Sequence, residues 1–322
     1  MNYRQIVAEA WQFTQDNRRI ALGYGAFPSI FTTIVGIGYI VYQYYSFASS
    51  KLFQHWDRSF LQVVFTTALD FMGTHRGLIV PLLVSAVILA LCYFFVPVLC
   101  EGALIQLIAR RRNGQQVEGR KGVTFGLMSF LPLFEYRLFI QTFSIFSIFS
   151  IIGTSLRNLG WTALGIILPI FIIVLIAALF MAVFLTYTEF YIVIDGEGVF
   201  TSVAKSANLV VKHLEETLLL TILMLIIGIR IIIQILFVLL IPAVVVGVVY
   251  LLTLYNLPNL GLALGAGLGA IGVLVAAYLN GIIHTFAIAV WTFTFLELTS
   301  IVEPHARDKT EDQPQEDQSG QE

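Results

Sequence analysis

Charge is what this sequence has least of. Only 12% of its 322 residues are Asp, Glu, Lys or Arg, about half the share of a soluble globular domain. Thiols are scarcer still, with Cys92 and Cys100 the full complement. Eight residues apart in one apolar segment, they cannot bridge each other and read as small core hydrophobes. No H-E-x-x-H, G-x-S-x-G, Walker loop or paired-cysteine pattern occurs. That removes the sequence-legible hydrolase, nucleotide-binding and zinc classes, and no metal or other cofactor is expected. The stretch GLGAIG (Gly267–Gly272) formally matches a dinucleotide fingerprint. It lies inside an apolar run, without the preceding strand or following acidic residue that the chemistry needs. His55, Asp57, Asp70 and His75 follow no ligand spacing.

Long hydrophobic runs are what the chain does have: 58% of its residues are hydrophobic. Several runs reach the roughly 20 residues that a helix needs to cross hydrocarbon. They are continuous rather than alternating, which excludes a β-barrel. The expected fold is all-α, a polytopic transmembrane helix bundle with six spans near 20–45, 78–104, 134–153, 163–190, 216–254 and 262–299. The last two are long for one crossing. Breaks at Pro242 and at Asn280–Gly281 would give eight spans. A first span this long is not a cleavable signal.

Three regions follow. Residues 1–19 read as a cytoplasmic amphipathic helix, with Tyr3, Val7, Ala10, Trp11 and Thr14 on one face. Residues 20–300 form the membrane domain. Residues 301–322 carry seven acids against Arg307 and Lys309 and lack branched aliphatic side chains beyond Ile301 and Val302, so an acidic disordered tail is expected. An amphipathic interfacial helix is also expected between spans four and five, from Phe200, Val203, Ala204, Ala207, Val210, Val211 and Leu214.

An N-inside topology puts Arg4, Arg18, Arg19, Arg110, Arg111, Arg112, Arg120, Lys121, Arg137, Lys205, Lys212, Arg307 and Lys309 in the cytoplasm. It leaves Lys51, Arg58, Arg76 and Arg157 outside. By the positive-inside rule both termini are cytoplasmic, in a bacterial-type inner membrane. Arg110, Arg111, Arg112, Arg120, Lys121, Lys205 and Lys212 are the candidate contacts to anionic lipid of the inner leaflet.

Charges within apolar runs are candidate functional groups by default. Glu101 and Glu189 close spans two and four, as Glu297 closes span six. Arg230 stands inside span five, and Glu101 is the expected partner, with Glu189 second. If the true span begins near Ile231, Arg230 is interfacial and needs no partner. Asn280 and His284 lie one turn apart on span six and suit either a relay or a bond to a neighbouring helix. Gly261, Gly265 and Gly269 form a small-residue ladder for close helix packing.

The segments AEAWQFTQDNRRIALGYG, EGALIQLIARRRNG, GVFTSVAKSANLVVKH and HTFAIAVWTFTFLELTS resemble a broad group of prokaryotic six-span membrane proteins without assigned function. The layout is similar to the membrane domain of bacterial glycerophosphodiester phosphodiesterases. That family pairs its membrane part with a soluble catalytic barrel, which has no counterpart here, so no catalytic residue carries over. The expected function is a non-enzymatic membrane scaffold or lipid-handling protein, with a small transporter using a midplane polar site as the alternative. Expected partners are membrane lipids, with a homo-oligomer or a membrane-protein partner left open and nucleic acid excluded.

Overall fold

The structure, a computed structural model, describes residues 3–48, 73–74, 76–141, 150–155, 164–255 and 257–311; the side chains of 41, 44–48, 76, 78, 164, 166–167, 226–239, 241–243, 258, 262 and 301–311 are outside the description. Among the described residues all regular structure is helical. In chain order the helices are α1 (Tyr3–Asp16), α2 (Arg18–Ile20), a π-helical turn (Ala21–Ala26), α3 (Phe27–Ala48), α4 (Arg76–Arg112) and a 3₁₀ turn (Gly119–Lys121). Then come α5 (Gly122–Gln141), α6 (Leu164–Phe184), α7 (Thr188–Ile194), α8 (Val199–Lys212), α9 (Leu214–Leu254) and α10 (Pro258–Glu311). Among the described residues five stretches are long and apolar enough to cross a membrane: Arg18–Ile40, Ile79–Arg112, Gly119–Gln141, Leu168–Ile194 and Asn259–Ser300. This is a helical membrane protein.

The third of these corrects a boundary. The sequence places a span at 134–153, whereas the apolar helix begins at residue 119. Small residues on one face explain it. A Cβ at Gly102 would lie 2.6 Å from Ser129 Oγ, and one at Gly122 would lie 2.6 Å from Leu107 Cδ1. A Cβ at Gly126 would run into the Leu99 carbonyl. Without side chains at these points α4 and α5 pack backbone to backbone, which gives α5 a long partner from its first turn.

Helix α10 is the hub, touching α1, the π turn, α3, α4 and α9. It runs unbroken through Asn280–Gly281, as α9 does through Pro242, so neither expected break divides its helix. Gly281 is where the π turn crosses α10. A Cβ at Gly25 would sit 2.5 Å from both Gly281 O and Thr285 Oγ1. The glycine ladder packs inside the chain: a Cβ at Gly261 would be 3.2 Å from Leu252 Cβ, at Gly265 2.8 Å from Val249 Cγ2, and at Gly269 3.4 Å from Val245 Cγ2. All three therefore join α10 to α9.

The tightly packed core gathers at one end. It includes Ile6 and Ala10 of α1, Leu104–Ile108 of α4, Tyr187–Val193 around α7, Leu209 and Val210 of α8, and Phe286–Leu298 of α10. At the other end α4, α6 and the first half of α10 expose apolar side chains such as Leu82, Ile88, Ile173, Phe180 and Ile271. Apolar area of this extent belongs in lipid.

Both short helices expected on the lipid surface are built into the protein. Helix α1 buries Ile6, Ala10 and Thr14, with Trp11 edge-on to Phe286 at 5.5 Å and Phe13 edge-on to Phe293 at 6.1 Å. Its apolar face is covered in part by α10, with Trp11 left half-exposed. Helix α8 buries Ser202, Ser206, Leu209 and Val210, leaving Phe200, Val211 and Leu214 exposed. Of the two serines, Ser206 has bonds that hold it inward, whereas the buried Ser202 hydroxyl has no hydrogen-bond partner. Ser206 donates to Phe184 O at 2.7 Å and accepts from Tyr187 N at 3.1 Å, satisfying backbone groups freed where α6 breaks into α7. The segment 301–322, expected to be disordered, continues α10 as far as Glu311; residues 312–322 lie outside the described residues.

Candidate functional site

Four helices carry ionisable groups within the bundle. Glu101 of α4 is 5% exposed and pairs with Arg137 Nη2 of α5. Glu189 stands on α7, a short helix packed against both α4 and α5. His284 of α10 lies within the field of both Glu101 and Arg137. Tyr136 and Tyr93 border the guanidinium. Thr188, fully buried next to Glu189, has a hydroxyl without a hydrogen-bond partner.

The expected pairing of Glu101 with Arg230 falls on a side chain outside the described residues. Arg137 takes Glu101. Arg137 lies fifteen residues into α5, about 22 Å along its axis, instead of beside the surface where the 134–153 reading placed it. Glu101 and Glu189, singled out separately, stand on helices that pack against each other. Glu297 does not join them but pairs with Arg112 at 3.6 Å. Asn280 donates weakly to Ser29 Oγ on α3 at 3.4 Å, and so ties two helices together rather than facing a ligand.

A cavity of about 530 Å³ reaches this cluster, within the range of small-molecule sites. Arg137 lines it with Tyr93 and Gln141, against Phe94, Phe134 and Met181. The guanidinium is 34% exposed there, so it belongs both to the buried pair and to the cavity wall.

A second, larger space of about 1470 Å³ opens between the π turn, α3, α4 and the start of α5. Phe27, Phe95, Leu127 and Phe130 line its length. Its mouth holds Arg18, Arg19, Arg111 and Arg120 against Asp16 and Glu118, which leaves it net positive. The Tyr24 hydroxyl donates to Gly119 O at 2.7 Å and closes one side.

The basic residues expected to touch lipid divide by their bonds. Arg110 donates to Gln106 Oε1 at 3.0 Å and lies 4.3 Å from the Phe125 ring centre. Arg111 donates to Asn17 Oδ1 and to Val117 O. Arg112 donates to Phe293 O, stacks 4.5 Å from its ring and faces Glu297 and Glu9. Those three are clasps between α4 and its neighbours. Lys205 is bound to Glu197. Arg18, Arg19, Arg120, Lys121 and Lys212 are exposed and form no ion pair among the described residues. Arg18 and Arg19 escaped the sequence reading as ligand contacts, because their distance from Arg120 closes only when α4 and α5 fold back beside α2.

Among the described residues no group of three or more His, Cys, Asp or Glu is placed to hold a metal ion. His55, Asp57, Asp70 and His75 are outside the described residues, and Cys92 and Cys100 are free thiols. Set beside known proteins, the chain matches no family model, no curated protein and no solved structure, so the site is read from its own chemistry.

Proposed function

We propose that this protein handles membrane lipid without itself being an enzyme, holding an anionic phospholipid in the groove between the π turn and helices α3, α4 and α5. One observation carries the reading. A space of about 1470 Å³ joins an aromatic and aliphatic wall to a mouth with the exposed, unpaired guanidiniums of Arg18, Arg19 and Arg120. An acyl chain matches the wall, and a phosphate matches the mouth, since guanidinium binds phosphate oxygens through two parallel donors. Near an anionic leaflet each such charge adds about 1 kcal/mol of attraction. The layout similarity to the membrane part of glycerophosphodiester phosphodiesterases supports the same assignment.

Purification in a mild detergent followed by extraction and mass spectrometry of retained lipid tests it. Phosphatidylglycerol should be enriched over phosphatidylethanolamine in the native chain. The triple replacement Arg18→Gln, Arg19→Gln and Arg120→Gln should abolish that enrichment while the protein stays monodisperse. Retention without headgroup preference, or a preference that survives the triple replacement, refutes the proposal. A small transporter is the second reading, favoured by the cavity that reaches Arg137; it requires no lipid preference and so gives the opposite outcome.

A further inference from the structure

We infer that the 530 Å³ cavity at Arg137 binds an uncharged, lipid-soluble molecule that presents a carbonyl oxygen to the guanidinium, such as a quinone ring or the ester of an acyl lipid. The walls come first. Helices α3, α4, α5 and α6 all contribute to the cavity, through side chains that include Thr32, Tyr93, Phe134, Leu138 and Met181. Most of this surface is apolar, with a few polar groups set into it, which is the anatomy of a small-molecule site. A hydrocarbon or aromatic body fits such walls.

Charge then selects the head. Arg137 is the one lining residue with a formal charge at neutral pH, and the buried Glu101 already neutralises it through Nη2. A carboxylate or phosphate entering the cavity would leave net negative charge in a low-dielectric surround. A cation would face the guanidinium directly. Both are costly at membrane depth. Yet a guanidinium has five N–H donors, Glu101 engages it at one nitrogen, and the side chain is 34% exposed on the cavity. Donors whose charge is already balanced suit an uncharged acceptor. Gln141, four residues on, lies on the same face of α5 and lines the same space, giving the head a second polar neighbour.

The cavity is also a compartment of its own. Phe134 lines it and stacks on Phe130 at 5.5 Å and on Phe95 at 5.3 Å. Those two rings line the larger groove. The three phenyl groups form a partition, with the phospholipid space on one side and Arg137 on the other. Binding here therefore rests on nothing proposed for the groove, and either site can fail without the other.

Native mass spectrometry of the full chain released from detergent micelles tests it. Methyl oleate, oleate and octadecene have similar chains and differ in the head: an uncharged carbonyl, a carboxylate and no acceptor. Decylubiquinone puts the carbonyl on a ring. At equal mole fraction, methyl oleate or decylubiquinone should be retained at least tenfold more than octadecene, and whichever is retained identifies ester or quinone. Ala182→Phe adds a ring to the cavity lining without touching the ion pair, and should abolish the adduct. Arg137→Met with Glu101→Met removes the donors and keeps the site neutral, and should reduce retention to the octadecene level. Equal retention of octadecene and the carbonyl probes overturns the inference, as does retention of oleate above methyl oleate or no retention of any probe. A carbonyl preference that survives either variant overturns it too, so Ala182→Phe decides alone if the double replacement does not fold.

Discussion

Replacing Gly281 by alanine should destabilise the fold more than any other single methyl added to α10. At that point α10 and the π turn meet with no side chain between them. The new Cβ would lie 2.6 Å from the Gly25 carbonyl carbon and closer still to Ala26 N and Cα. Unstrained carbon contacts lie near 3.5–4.0 Å, so the two backbones must separate by roughly 1 Å. Neither can swing aside as a side chain would, which places the cost toward the upper part of the 1–3 kcal/mol typical of overpacking. Alanine returns up to about 1 kcal/mol as the better helix former, leaving a net loss of about 2 kcal/mol. Gly267→Ala is the matched control: it lies on the same helix with nothing within 4 Å of the new atom, and should be neutral or slightly stabilising. Thermal unfolding in detergent, followed by the fluorescence of Trp11 and Trp291, reads both variants. Equal melting of Gly281→Ala and Gly267→Ala would sink the reasoning, since helix propensity would then be the only effect present.

Three further outcomes follow from named contacts. Ser206→Ala removes the group that serves both Phe184 O and Tyr187 N, and should lower stability by about 1–3 kcal/mol; Ser206→Thr, if it fits, should restore part of that in the same melting assay. Arg112→Met deletes the ion pairs and the bond to Phe293 O while keeping much of the stem over the ring, so a loss of about 1–2 kcal/mol is expected, and a larger loss in Arg112→Ala would measure the stacking. Lys205 has its pKa raised above the ordinary 10.5 by its hydrogen bond to Glu197; the stability this adds is complete below 10.5 and fades as the pH climbs through the higher folded value. Because Lys205 is exposed the alkaline step should be small, and it should vanish in Lys205→Met when melting is followed across that pH range.

The apolar runs made the helices legible, because spanning hydrocarbon demands long uninterrupted hydrophobicity and little else in a sequence looks like it. Boundaries were harder where a segment could serve either lipid or protein. Gly122–Phe134 is as greasy as an interfacial segment and as a span; what decides is the match of Gly122 and Gly126 to Leu107, Leu99 and Ala103, a fact about two helices at once. The same ambiguity holds for α1 and α8. An amphipathic face announces that it will be covered but not by what, and here α10 and the α6–α7 break supply the cover. In α8 the expected face is split: Val210 is buried and Val203 packs on the core, while Phe200 and Val211 are exposed and Ser206 turns inward to bond backbone. At the charged cluster, Glu101 and Glu189 stood out as carboxyls in apolar surroundings. Arg137 did not, because the misplaced span left it among ordinary flanking cations, and a pairing across 36 residues has no local signature.

The π turn at Ala21–Ala26 has a consequence for counting. A π bulge amounts to one residue inserted into an α-helix, and each residue of an α-helix advances the chain by about 100°. Everything before the turn is therefore rotated against everything after it by more than a quarter circle. Deleting Gly23, which has open space around it, would let the chain relax to regular helix and swing Arg18 and Arg19 around the axis while Phe27 and Ser29 stayed in place. The direction in which those two arginines look is set by a single residue of length, and composition has no part in it.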